Sequence, residues 1–307
     1  MDGQTGKSQV GDLMGDTAQA KETKSELDGR MAALKVGDAM GASAKVPLKN
    51  TQAFIGPNAK VKAKRNVEVK AEDKTQAIMI AGAGAGGGAA GVAGTLGVAL
   101  IRDSAEAFIA DGARVDAGQK LQVAARTTDD VYNVGLTGSG AGAADVGGSL
   151  TVNVVKSTTS AYIGAAEINK AEGDAFGAAQ AVEVTADSNS TLVSAAGSGG
   201  GAGAASVGGV ANVNTLLKTT RAFIARGADV AADTNVEVAA RSAQNIVGAG
   251  VSIRGAGAAA VSAVASVNVV ANTTEAYIGA ERNDSDKRAT TVDSDGNVVV
   301  AAADDTL

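Results

Sequence analysis

The chain has 307 residues and a net charge of −6, with a pI near 4.9 and acids and bases scattered along it, so no basic stripe exists for nucleic acid. Cysteine and histidine are both absent, which excludes disulfides, thiolate metal sites and cysteine nucleophiles and removes the commonest general base and metal ligand. Only 2% of residues are aromatic while 41 are glycine, a composition that fills a narrow core one side chain deep better than a wide globular one.

In chain order, the first stretch is the least regular. Met1-Asp2-Gly3-Gln4 leads into polar sequence without a charged n-region or an apolar h-region. This is the start expected either of a cytoplasmic protein or of a piece of a longer chain. The second is favoured, because the last repeat stops soon after its Val298/Val300 strand. Residues 21–34 (KETKSELDGRMAAL) are polar and helix-favouring. Residues 1–45 are therefore expected to form a flexible or partly helical lead-in, able to cap the exposed strand edges at the start of the repeat array.

Residues 46–307 repeat. An aromatic–isoleucine pair recurs as Phe54-Ile55, Phe108-Ile109, Tyr162-Ile163, Phe223-Ile224 and Tyr277-Ile278, and these anchors hold five of the seven aromatic residues. A regular period of this kind marks a modular array whose units bury apolar surface against their neighbours. After each anchor comes a turn such as Asp111-Gly112-Ala113, and then a short stretch carrying Val61, Val115 or Val230. A strand with apolar residues at every second position comes next, as in Leu121/Val123/Ala125 and Val236/Val238/Ala240. Two insertions, residues 169–180 and 281–291, are expected at one place in the repeat, in a loop on one side of the array. The second half of each unit is a Gly/Ala tract running into a Val/Asn-rich strand. The fold class this predicts is all-β: a β-solenoid of five repeats of about 54 residues, with two or three coils per repeat and a slender rod on the order of 50–70 Å long. A long β-hairpin of each Gly/Ala tract, lying beside the rod, is the second reading.

Several segments imitate chemistry. Residues 82–87 match GxGxxG, with Asp103 about twenty residues on. Related tracts recur in every unit without an amphipathic helix after them, so they read as a packing device. Residues 77–101 carry no charge over a bilayer-spanning length. Their counterparts contain Asp145 and Arg254, which argues against a transmembrane span. Asn153, Asn214 and Asn268 each lie nine residues before an anchor. They are expected to be turn or inward polar positions, and isolated ones if each repeat holds several coils. The pairs Thr158-Thr159, Thr219-Thr220 and Thr273-Thr274 raise ice binding, again too sparsely for an array. Asp293-Ser-Asp295-Gly296-Asn297, with Asp284 and Asp286 nearby, has the flavour of a calcium turn but lacks the EF-hand glutamate. These four aspartates are the weak metal candidates. No residue is assigned a catalytic or cofactor role, and no cofactor is expected.

The pieces TTxAYIG (158–164), GAxVxA (227–232), VxVxA (236–240) and GAGAAxVGGxxxVNVV (140–155) together resemble the repeats of large bacterial filamentous surface adhesins, of the filamentous-haemagglutinin or leukotoxin type. The resemblance covers roughly residues 50–307. It implies a right-handed parallel β-helix, export to the cell surface or medium, and a stalk or adhesive filament. Its partners would be other segments of the same chain, neighbouring rods, or a receptor on a host or neighbouring cell. The function expected is therefore a non-enzymatic structural or adhesive segment, with Phe54, Phe108, Tyr162, Phe223 and Tyr277 as stacked anchors. The alternative is a solenoid with a specific face for carbohydrate, calcium or ice.

Overall fold

In the computed structural model, residues 36–170, 179–280 and 288–307 are described. The expected helical character of residues 21–34 and the candidates Asp284 and Asp286 lie outside them. The described chain is all strand and turn. A partial coil consists of β1 (Val36–Lys45), β2 (Leu48–Ile55) and β3 (Lys60–Ala63). The next coils are β4 (Val67–Gly87), β5 (Ala90–Ile109) and β6 (Arg114–Ala117), then β7 (Lys120–Ala141), β8 (Ala144–Ile163) and β9 (Glu167–Ile168). They continue with β10 (Ala181–Ala202), β11 (Ala205–Ala225) and β12 (Asp229–Ala232), then β13 (Val236–Ala256), β14 (Ala259–Gly279) and β15 (Thr291–Ser294), and β16 (Val298–Thr306) begins another turn.

Every ladder is parallel, and the strands fall into three stacked sheets. Sheet I runs β1-β5-β8-β11-β14, with β2 also on β5; sheet II runs β16-β13-β10-β7-β4; sheet III is the short-strand stack β15-β12-β9-β6-β3. The protein is a parallel β-solenoid. Phe54 pairs with Phe108, Phe108 with Tyr162, Tyr162 with Phe223 and Phe223 with Tyr277. One sequence repeat is therefore one coil. The expectation of two or three coils per repeat is corrected, and the dimensions change with it. Strands of 20–22 residues make each coil about 70 Å broad, while the whole stack rises only about 20–25 Å. The protein is a broad blade, not a slender rod.

The Gly/Ala tracts are the outer halves of the long strands. Chain direction reverses between sheets II and I at two-residue turns such as Gly142-Ala143 and Gly203-Ala204. The arms are not a hydrogen-bonded hairpin beside the rod: they face each other in different sheets and belong to the coil. At these tips a Cβ on Gly142 would lie 2.2 Å from the Gly88 carbonyl oxygen, and one on Gly203 would lie 2.2 Å from that of Gly142. Only glycine lets consecutive tips stack that closely. The GxGxxG segment is thus the end of β4, and a strand comes after it.

The broad end of the coil holds the main core. Ile109, Ile163 and Ile224 from sheet I meet Val115, Ile168 and Val230 from sheet III and Leu121, Val123 and Val184 from sheet II, all fully buried. The anchor motif is therefore two-sided: its isoleucine fills the interior and its aromatic ring faces outward. The rings stack from Phe54 to Tyr277 with centroids 4.8–5.1 Å apart and planes within 8°. Burial, then the charge of Glu106, pushes the Tyr162 hydroxyl up to about 12.

Two sequence boundaries move. The array begins earlier than residue 46, because β1 pairs with β5 from Val36↔Ala90 onward. The insertions do not share one place: the first lies between β9 and β10, after a short strand, and the second between β14 and β15, before one. Each falls in the chain next to a strand of sheet III, and the long ladders keep their register on either side of it.

Candidate functional site

Strand alternation places three chemically distinct layers inside the blade. Outward from the main core lies a polar seam. Lys218, on β11, faces Asp129, on β7, with Nζ 3.5 Å from Oδ2 and both side chains wholly buried. Lys218 donates to Ser188 Oγ at 2.8 Å and Ser190 donates to Asp129 Oδ2 at 3.1 Å. Asp103 is buried in the same seam; burial, then the neighbouring Asp129 carboxyl, pushes it up to about 7 from an ordinary 3.8. Burial lowers Lys218, against the opposing pull of Asp129. Toward the first coil, Lys49 pairs with Asp73 at 3.2 Å.

The seam predicts a pH dependence. Asp103 holds its proton up to about pH 7 in the folded state, whereas the unfolded chain releases it near pH 4. Its contribution is fully present below pH 4 and is lost as pH rises through 7. Asp103→Asn, neutral at every pH, is expected to flatten the fall in urea midpoint between pH 5 and 8 and to be the more stable form at pH 8. An unchanged decline in the variant would remove Asp103 as its source.

Past a second small core around Val131, Val155, Leu192 and Leu216, the interior becomes polar again. Asn133 donates to Asn153, Asn153 to Asn214 and Asn214 to Asn268, each at 2.8 Å. With one coil per repeat, the three asparagines singled out by their spacing form a continuous amide ladder and are not isolated. Asn133 carries no such sequence signal. It enters from the opposite sheet, where a Cβ on Gly97 would lie 2.3 Å from its Oδ1. Nearer the tip, Arg254 reaches back across two coils. Its Nη1 donates to Asp145 Oδ2 at 2.8 Å and to Ser139 Oγ at 2.7 Å, and its Nη2 donates to the Gly147 carbonyl at 2.7 Å and to Ser198. These two charges, expected to break an apolar stretch, neutralise each other inside it.

The outer faces reverse this pattern. Sheet I presents coil-to-coil rows such as Val92–Val146–Val207–Val261 and Val98–Val152–Val213–Val267, separated by Gly94–Gly148–Gly209–Ala263 and Leu96–Leu150–Ala211–Ala265. Val146 is 50% exposed and Val207 47%. Sheet II is charged near the broad end, at Lys70, Glu72 and Lys74, and apolar beyond Ile78 and Tyr132. Its outermost rows are rich in glycine: Gly84–Gly138–Gly199, which ends on the exposed Ile253, and Gly86–Gly140–Gly201–Gly255. A Cβ at Gly86, Gly138, Gly199 or Gly255 would meet nothing within 4 Å. The fold itself does not demand glycine there, although each costs a strand about 0.5–1 kcal/mol relative to alanine.

Thr158, Thr219 and Thr273 align with Ser104 in one outward row, while Thr159 and Thr220 point inward. The row is continuous, but the next one carries Glu106, Arg221 and Glu275, so no flat two-dimensional threonine lattice forms. Asp293 and Asp295 sit at β15 and the turn after it, and among the described residues no group of three carboxylate, imidazole or thiol side chains could hold a metal ion. Among the described residues no helix is long and apolar enough to cross a membrane. Comparison with models of known families, with curated proteins and with solved structures finds no match.

Proposed function

We propose that the chain is a non-enzymatic structural segment of a large, exported filamentous surface protein, as its resemblance to filamentous adhesins implies. The observation that carries the reading is the identity of repeat and coil. Each unit of about 54 residues adds one cross-section to the stack, so its residues line up in rows that run from coil to coil, many of them chemically alike. Such a molecule offers a periodic surface. Enzymes, by contrast, assemble unlike residues once around a reacting atom.

Breadth is the dominant product of the design. A unit gains only about 4.8 Å along the stack but spans about 70 Å across it. Adhesion in this reading comes from an extended face able to engage a neighbouring surface over many coils. The polar, charged base of sheet II is the part suited to contact with water.

Isothermal titration with calcium and a glycan array test the reading. The expected outcome is no saturable binding of either to the 307-residue chain. A micromolar calcium or oligosaccharide affinity would replace the structural role with a ligand-binding one.

A further inference from the structure

We propose that the blade binds a second copy of itself face to face, the ridged apolar outer face of sheet I docking on the glycine-floored outer half of sheet II of its neighbour. The inference rests on the structural reading and deepens it by naming the partner of the periodic surface.

Three observations converge. First, polarity in the outer half of the blade is inverted. The interior holds the asparagine ladder and the Arg254–Asp145 pair, while rows of valine and leucine face out. An exposed apolar patch this continuous marks an interaction surface. Second, the outward glycines of sheet II have open space where a Cβ would stand. Glycine with no internal reason in a strand marks a close approach by another backbone. Third, the two faces differ in the complementary sense. Sheet I carries ridges at Val92, Leu96, Val98 and Leu100, whereas the end of sheet II is a floor at Gly84, Gly138 and Gly199.

The occupant is a protein sheet in preference to lipid. Acyl chains give no reason for open glycine rows, and the outward aromatic row of sheet I stands at its broad end, with no aromatic row at the tip among the described residues to close a membrane-facing band. The outward rows of sheet I from Val92 to Leu100 extend about 30 Å along the strands and about 20 Å across four coils, a flat area of roughly 600 Å². A stable interface needs roughly 800 Å² of accessible surface per partner, and each further coil adds roughly 150 Å². The contact is heterologous, because the two faces lie on opposite sides of one blade. It does not close on itself, so blades add one after another like pages.

Sedimentation velocity of the full chain tests this, with two double variants. Leu150→Lys/Val213→Lys blocks the sheet I face, and Gly138→Lys/Gly199→Lys blocks the sheet II face. All four side chains point outward, and circular dichroism checks that strand content is kept. Wild type is expected to form a concentration-dependent series without a closed end point. Each variant alone is expected to stay monomeric to at least tenfold higher concentration, and an equimolar mixture to form a one-to-one pair through the two intact faces. Wild type that is monomeric at every concentration overturns the proposal, as does a sheet II variant that assembles like wild type. Monomers that instead float with phosphatidylcholine vesicles would transfer the surface to lipid. Neither result bears on the calcium and glycan titrations, so the two readings fail separately.

Discussion

Asp145→Ala is expected to lower the stability of the blade by about 3–5 kcal/mol, the cost of stranding a buried charge whose partner has been removed. Arg254 and Asp145 are 1% and 0% exposed, so the guanidinium left behind would stay out of water. The channel that admits Arg254 is made by glycines. A Cβ on Gly208 would fall 2.3 Å from Nε, 2.3 Å from Nη2 and 2.4 Å from Cζ of this one side chain. Gly208→Ala should therefore displace the guanidinium and cost about 2 kcal/mol or more. In an Arg254→Ala background the three atoms nearest that methyl group are gone, so its cost should fall sharply. Urea midpoints of the four proteins give the coupling directly. Equal costs of Gly208→Ala in both backgrounds would show that the channel is not shaped around the arginine.

Lys218→Met is expected to be of similar size, about 3–5 kcal/mol. Its removal leaves Asp129 beside Asp103 with no cation in contact, and both carboxyls are buried. The loss should shrink at lower pH, since the proton that Asp103 takes up relieves the repulsion. Asp129→Asn/Lys218→Met, which keeps the volume and removes both charges, should recover most of the stability. Hydrogen exchange should place the damage in β7 and β11, the strands that carry the pair. A double variant no better than Lys218→Met alone would mean that the methylene stem, and not the charge, supplies the stabilisation.

Much of this architecture is legible in the residues, and the exceptions have physical causes. The anchors and the Val-x-Val strands declare parallel stacking, because their apolar alternation contrasts with polar neighbours. The Gly/Ala tracts give no such contrast. With glycine and alanine at both parities, alternation is invisible, so their strands do not announce themselves and each repeat looks long enough for several coils. Several coils per repeat would disperse the asparagines, which the actual register joins into a ladder. The aromatic anchors read correctly as a stack, yet period-two logic alone does not say which parity faces in. Ile109 and Phe108 are adjacent and comparably apolar, and the narrow interior takes the aliphatic one. Arg254 and Asp145 lie 109 residues apart, and nothing local marks them as partners. The surrounding glycines are the one sequence trace of their meeting. The inverted polarity of the outer blade is unreadable for the same reason as its strands.

The way the coils are joined also sets how the molecule yields to force. Tension applied through the chain ends acts across the strands, so the ladders open bond by bond from a corner, like a zipper. Each peeled coil releases about 54 residues, roughly 180 Å of extended chain, in exchange for the about 4.8 Å it occupied in the stack. A tether of this construction lengthens nearly fortyfold before any covalent bond is loaded, absorbing a pull by surrendering cross-sections one at a time while those behind stay folded.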